Sequence, residues 1–113
     1  GEVAIFFRSE NEWERAREAL AASPFAKASP RPKLCPMWDA KGLEYRAVVV
    51  MACDSDVIPS PERIAEADLV TGLDDIYETE RNLLYVACTR ARDYLLVTCA
   101  GVPSELLLDL TQP

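Results

Sequence analysis

Residues 80–92 read Glu-Arg-Asn-Leu-Leu-Tyr-Val-Ala-Cys-Thr-Arg-Ala-Arg, and together with the residues just before them they predict the central helix of the fold. Apolar side chains recur here at helical spacings, which places them on one face. The members of that face are Leu73, Ile76, Tyr77, Leu84, Ala87 and Ala91. The other side carries Arg81, Tyr85, Thr89 and Arg92. The pattern predicts an amphipathic helix from about Asp74 to Thr89, with one face on a core.

Two charged residues of this helix raise questions about its environment. Glu80 stands in the middle of the apolar face, where a carboxylate is costly to bury unless a cation or hydrogen-bond donors meet it. We therefore expect Glu80 to form an ion pair with a nearby cation. Arg90 lies near the carboxyl end, where the helix dipole favours positive charge. Two interpretations of Arg90 stay open on spacing alone: a surface arginine that ends a helix, or a side chain that points into a functional site.

Length and composition limit the possible classes of protein. The chain has 113 residues, half of them hydrophobic, which is enough for one compact domain with a single core. Its net charge of −7 argues against a stand-alone, tight nucleic-acid binder, since phosphate neutralisation needs a basic surface. A partly basic groove shared with another domain remains compatible with that charge. The sequence contains no histidine, which excludes histidine bases, ligands and triads.

The four cysteines are too far apart in sequence for a Cys-x-x-Cys zinc pair. Three of them fall within apolar helix or strand patterns, so we predict reduced, buried thiols and a cytoplasmic protein. No apolar run approaches the roughly 20 residues that span a membrane, and no secretory leader is visible. We expect no metal site and no membrane partner.

The remaining patterns predict an α/β domain. The first predicted elements are a strand at Val3–Phe7 and a helix that begins with a capping box at Ser9 and Glu12 and runs to about Ala22. An extended proline-rich connection follows at Ser23–Pro36, with a short strand near Lys33–Met37. The later elements are a buried strand at Ala47–Cys53, a short helix at Pro61–Ala67, the central helix, a strand at Tyr94–Cys99 and a terminal helix at Val102–Leu110. Such alternation predicts a mostly parallel sheet with helices on both sides.

Three stretches resemble the superfamily 1 DNA helicases of the UvrD/Rep type. Ala40–Tyr45 reads Ala-Lys-Gly-Leu-Glu-Tyr before an apolar strand and resembles helicase motif V, roughly H-x-A-K-G-L-E-F. Glu80–Arg92 resembles motif VI, roughly E-R-R-L-L-Y-V-A-x-T-R-A-R, also followed by a strand. Val3–Leu20 resembles the segment I-A-V-L-Y-R-T-N and its helix. The order of the three matches too, and the resemblance implies the second RecA-like motor domain, which lacks its own phosphate-binding loop.

The resemblance implies a set of nucleotide contacts. Arg90 matches the arginine finger that reaches the γ-phosphate of ATP from across the cleft between two motor domains, where a guanidinium stabilises developing charge. Glu44 matches a glutamate that accepts hydrogen bonds from the ribose hydroxyls. Gly42 lets the backbone approach the nucleotide. Arg8 follows the first predicted strand and is a further nucleotide-facing candidate by the strand-end rule. Glu80 matches the glutamate at the start of motif VI.

The resemblance also implies contacts with single-stranded DNA around Trp38 and Lys41. The family usually carries histidine where this chain has Trp38, whose indole could donate its N–H to a phosphate or stack on a base, and which could equally be a core or lid aromatic. Lys41 has the alternatives of a solvated lysine or a partner of Glu80. Asp39 replaces a residue that is often basic or small, and it would repel a phosphate.

We therefore expect residues 1–113 to form one domain, with the proline-rich connection at 23–36 where the family often carries a large inserted domain. No G-x-x-x-x-G-K-[ST] loop is present, so ATP and Mg²⁺ would be held mainly by an N-terminal motor domain. The expected partners are that domain and single-stranded or partly duplex DNA. The isolated chain should be inactive as an ATPase. The alternative hypothesis is a RecA-like protein-interaction or regulatory module without motor activity, which Trp38, Asp39 and the net charge favour.

Overall fold

A computed structural model describes residues 3–27, 32–40, 42, 44–67 and 72–107. The strands are β1 (Val3–Phe7), β2 (Lys33–Pro36), β3 (Tyr45–Val50) and β4 (Ala91–Val97). The helices are α1 (Trp13–Ala21), α2 (Pro61–Ala65) and α3 (Leu73–Thr89). Short 3₁₀ turns lie at Glu10–Glu12, Pro24–Lys27, Met37–Asp39 and Glu105–Leu107.

The four strands form one parallel sheet in the order β2-β1-β3-β4. In the pairing register, Ala4 lies between Lys33 of β2 and Val48 of β3, and Val48 lies beside Leu95 of β4. Every strand therefore ends at the same edge of the sheet, and residues that follow strands gather there. The predicted α/β class with a mostly parallel sheet is confirmed.

Helices cover both faces of the sheet because the strand side chains alternate between them. One face contributes Ala4, Phe6, Val48 and Val50, which share a buried core with Leu84, Ala87 and Cys88 of α3. The other face contributes Val3, Ile5, Ala47 and Val49, which line an apolar cleft of about 400 Å³ with Ala16, Ala19 and Leu20 of α1. The main core thus lies between the sheet and α3.

The central helix has nearly the predicted bounds and the predicted orientation. Ile76, Leu84 and Ala87 are buried, while Arg81 and Tyr85 are exposed. The prediction for Leu73 was wrong, because its side chain is 46% exposed. Leu73 is the first residue of α3, one position after the cap Gly72, and it extends beyond the core that the later turns cover.

Several local boundaries differ from the sequence-based expectation. Ser9 caps the first helical segment as predicted, with its hydroxyl accepting from the Asn11 N–H at 3.4 Å, although that segment begins as a 3₁₀ turn. The second half of the predicted capping box is wrong, because the Glu12 carboxylate pairs with Arg15 instead of reaching back. Strand β3 ends at Val50, three residues early, and the chain then turns at Ala52, whose φ is +58°.

The last two predicted elements also differ. Strand β4 begins at Ala91, directly after α3, instead of at Tyr94. The predicted terminal helix is a 3₁₀ turn at Glu105–Leu107, and residues 108–110 lie outside the described part of the chain.

The four cysteines are free thiols, and burial is found as predicted for Cys53 and Cys88, and also for Cys35 in β2. Burial raises the pKa of Cys53 to about 12 and that of Cys88 to about 11, so both remain protonated at neutral pH. Cys99 is exposed. Across the described ranges, no helix has both the length and the apolar composition needed to cross a bilayer. Within the same ranges, no group of acidic or thiol side chains is arranged to hold a metal ion.

Candidate functional site

Arg90 lies where α3 ends and β4 begins. It is the carboxyl-terminal cap of α3, in helical conformation, and its side chain is half-buried. The guanidinium folds back onto the last helical turn: Nε donates to the Val86 carbonyl at 3.3 Å, and Nη2 donates to the Thr89 hydroxyl at 3.3 Å. Both bonds are at the long end of the hydrogen-bond range, so they restrain the side chain only weakly.

Glu44 is brought next to Arg90 by backbone pairing. The N–H of Tyr45 donates to the Arg90 carbonyl at 2.9 Å, and Tyr45 lies opposite Ala91 in the β3–β4 register. Glu44 precedes Tyr45 and is exposed. Among the described residues, no ion pair or hydrogen bond occupies its carboxylate. The structure therefore places Glu44 and Arg90 together at the edge of the sheet where β3 and β4 begin.

Gly42 lies in the turn that leads to this edge. Its φ is +80°, a left-handed backbone conformation that side chains disfavour. A Cβ built on Gly42 would meet no heavy atom within 4 Å, so the backbone angle, and not lack of space, explains the glycine. Lys41, the predicted DNA contact beside it, lies outside the described residues.

Arg8 lies at the opposite edge of the sheet, just after β1, and its guanidinium is bound to Glu80. Arg8 Nε donates to Oε1 at 2.8 Å and Nη2 donates to Oε2 at 2.5 Å, a bidentate pair. The backbone N–H of Ser60 also donates to Oε1, at 2.5 Å. Glu80 is completely buried, and Arg8 is the cation that meets it. The ion pair joins the end of β1, the middle of α3 and the start of α2.

The predicted nucleotide contacts are therefore divided between two edges. Glu80 and Arg90 are ten positions apart on α3, which corresponds to about 15 Å along the helix axis. Arg8 is near the Glu80 end, whereas Glu44 is near the Arg90 end. The small cleft beside Arg8, about 190 Å³, is also lined by the acids Glu12, Asp56 and Glu62. The structure brings Glu44 and Arg90 together and leaves Arg8 apart from them.

Trp38 lies in the 3₁₀ turn that follows β2, and its side chain is 55% exposed. The indole N–H donates to the Glu10 carboxylate, with Nε1 and Oε1 2.7 Å apart. A core role for Trp38 is therefore wrong. The same hydrogen bond means that the N–H is already occupied and does not point to a phosphate. Trp38 also lines a cleft of about 200 Å³.

Sequence patterns did not reveal three residues that contribute contacts around these sites. The Ser60 N–H donor is a backbone group, which no side-chain pattern reveals. Asn82 lines the Trp38 cleft from α3, and only its position on the helical wheel could have indicated that role. Asp54 forms an ion pair with Arg15 at 2.8 Å and accepts from the Ala100 N–H at 2.8 Å, so it links the turns after β3 and β4 to α1.

Comparison with known proteins identifies the family. The model of the UvrD-like helicase C-terminal domain matches residues 19–101. Among solved structures, the chain is similar to the C-terminal domain of a possible DNA helicase from Lactobacillus plantarum WCFS1, with 28% identity and a TM-score of 0.61. That alignment covers 94% of this chain but 60% of the other. No curated protein sequence matches the chain. Since the family model spans most of the sequence and the fold agrees, the chain belongs to the UvrD-like helicase C-terminal domain family.

Proposed function

We propose that this chain acts as the second motor domain of an ATP-dependent DNA helicase or translocase. In this role it supplies an arginine finger and a ribose contact to ATP that is bound against an N-terminal motor domain. The observation that carries the proposal lies where β3 and β4 begin side by side. There the Tyr45 N–H donates to the Arg90 carbonyl and holds Glu44 beside Arg90. A cation and an acceptor on one exposed edge are the two groups that a nucleotide in such a cleft would require.

Arg90 suits the cation role in charge and in freedom of movement. Phosphoryl transfer builds negative charge on the γ-phosphoryl oxygens, and a guanidinium stabilises that charge through paired N–H donors. The two bonds that hold Arg90 to its own helix are both 3.3 Å long, so exchanging them for a charged acceptor costs little. Arg90 can therefore swing from the helix end towards a facing domain.

Glu44 and Gly42 suit the positioning of the nucleotide. The exposed carboxylate of Glu44 is an acceptor for two ribose hydroxyls. The left-handed conformation of Gly42 turns the chain just before that carboxylate. Arg8 remains a predicted contact, but Glu80 already neutralises its charge and accepts two of the five guanidinium N–H donors.

The other components of the reaction would come from the N-terminal domain. The sequence has no phosphate-binding loop, and the described residues contain no cluster suited to Mg²⁺. ATP and its Mg²⁺ would therefore be held mainly by the facing domain. Trp38 and Lys41, on the connection between β2 and β3, are the candidates for contact with single-stranded DNA.

The test is the Arg90→Ala substitution in the protein that contains both motor domains. Hydrolysis should fall by about 10³-fold or more, as for other arginine fingers, while ATP binding is retained. Arg92→Ala is the matched control, because Arg92 is an exposed arginine only two residues away, in β4. The measurements are steady-state ATPase rates and equilibrium binding of a fluorescent ATP analogue.

The control separates a specific finger from a general loss of positive charge at this edge. Similar small effects of both substitutions would reject the arginine finger. If neither changed any nucleotide assay, the alternative of an interaction or regulatory module without motor activity would be favoured. Its structural support is the acidic surface around Trp38, where Glu10 and Asp39 would repel a phosphate.

A further inference from the structure

We propose that the cleft beside Trp38 is a binding site for one unpaired nucleobase of single-stranded DNA. The described residues that line it are Met37, Trp38, Thr79, Asn82, Leu83 and Val86. This inference rests on the proposed function and names what the domain would recognise there: the base itself, and not the phosphate backbone.

The first argument is the fixed orientation of the indole. Glu10 accepts the Trp38 N–H at 2.7 Å, which holds the ring at its polar edge. Since the N–H is occupied, more than half of the residue is exposed and the residue lines the cleft, the part of the indole left for a ligand is its aromatic surface. Stacking on an aromatic face is the usual contribution of tryptophan to single-strand binding, and it is available to every base.

The second argument is the chemistry of the cleft wall. Met37, Leu83 and Val86 supply apolar surface, and none of the described residues that line the cleft carries a charge. The Asn82 carboxamide has no hydrogen-bond partner in the described part of the chain, so it offers both a donor and an acceptor. Thr79 donates its hydroxyl to the Asp75 carbonyl at 2.9 Å and keeps its oxygen lone pairs. An apolar slot with one free amide matches the edge and face of a neutral base.

The third argument is the size of the cleft and the negative charge beside its mouth. A cleft of about 200 Å³ has room for several water molecules, and we take that space to suit one planar base. Asp39 and Glu10 adjoin Trp38, so a phosphate is disfavoured at the cleft mouth. The base would enter while its phosphates stay outside. Binding here should therefore release few counterions and depend only weakly on salt.

The experiment uses Trp38 itself as the probe. The chain contains two tryptophans, and Trp13 packs edge-on against Phe7, so Trp13→Phe leaves Trp38 as the single fluorophore with that contact largely retained. This variant is titrated with oligo(dT) and with an abasic oligonucleotide of the same length and charge. We expect oligo(dT) to quench Trp38 fluorescence and the abasic strand to leave it unchanged.

Affinity measurements test the same site without a tryptophan signal. In the Trp13→Phe background, Trp38→Ala should weaken oligo(dT) binding by about 5- to 150-fold, the usual range for loss of one stacked base. The slope of log affinity against log salt should not change, whereas loss of one phosphate contact would reduce it by about 0.7. Tyr85→Ala is the control, because Tyr85 is an exposed aromatic on α3 that does not line the cleft. Binding is followed by anisotropy of labelled oligonucleotides, and circular dichroism checks that each variant is folded.

Each result has one meaning. Equal affinity for oligo(dT) and the abasic strand, with Trp38 unquenched, overturns the base site while DNA binding by the domain still stands. A reduced salt slope in Trp38→Ala also overturns it, because the contact would then be with phosphate. If neither strand binds, even to the protein that contains both motor domains, the base site and the DNA-binding part of the proposed function both fail, while the Arg90 test of nucleotide chemistry is unaffected.

Discussion

Arg8 and Glu80, which are 72 positions apart in the sequence, form a bidentate ion pair with the carboxylate completely buried. The Ser60 N–H donates a third hydrogen bond to the same carboxylate. One side chain of α3 is thereby fixed to the end of β1 and to the start of α2. Because α3 also carries Arg90 at its far end, this ion pair helps to determine where the candidate finger lies.

Removing Arg8 should strongly destabilise the domain. Arg8→Ala leaves a buried carboxylate without its cation, and we expect a loss of about 3–5 kcal/mol in the free energy of unfolding. The double substitution Arg8→Met/Glu80→Leu removes both charges and should recover much of that loss, since an apolar pair no longer needs compensation. Urea unfolding monitored by circular dichroism measures both values.

The exposed pair between Arg17 and Glu14 on α1 is the matched control for Arg8 and Glu80. Arg17→Ala should change the free energy of unfolding by less than about 1 kcal/mol, because water screens exposed ion pairs. A loss in Arg8→Ala as small as that in Arg17→Ala would contradict the structural role of the buried pair.

Gly42 should be intolerant of a side chain because of its backbone angle alone. With φ at +80° and open space around a Cβ, Gly42→Ala should cost about 1–2 kcal/mol in the free energy of unfolding. Gly101→Ala is the control, because Gly101 also has open space but no left-handed angle; its effect should stay within about 1 kcal/mol. Equal costs at the two positions would show that the turn readily takes another conformation.

Asp54 should make stability depend on pH in the acid range. Burial alone would raise its pKa, but the Ala100 N–H and the Arg15 guanidinium outweigh burial and lower the pKa below its ordinary value. The ionised form is thus favoured by folding. Its contribution is fully present above the unfolded pKa of about 3.9 and disappears as the pH falls through the lower folded pKa.

Asp54→Asn should therefore lower the free energy of unfolding by about 1–3 kcal/mol at pH 7. The difference from the unmodified chain should shrink as the pH falls below about 4. Asp56→Asn, two residues further along at an exposed position, should show neither effect. Thermal unfolding between pH 2 and pH 7 gives the comparison, and a difference that stayed constant over this range would rule out the assigned charge interaction.

Sequence by itself determined the elements and their class. Helical spacing predicted nearly the full length of α3, and the apolar run Ala47–Cys53 indicated a buried parallel strand, because both signals arise from neighbouring residues in the chain. The same spacing showed that Glu80 places a carboxylate on the apolar face of the helix. Where the prediction failed, at Glu12 and Leu73, the deciding factor was local geometry at an element end, where periodicity carries little information.

Tertiary structure alone decided which residues meet. No pattern within one segment could select Arg8 as the cation for Glu80, or place Glu44 beside Arg90, because those contacts depend on the register of parallel strands joined by long connections. The same holds for Trp38, whose N–H is bound to Glu10 from the turn after a neighbouring strand. Periodicity is a property of consecutive residues, whereas Glu44 and Arg90 meet only because the folded sheet brings the starts of β3 and β4 together.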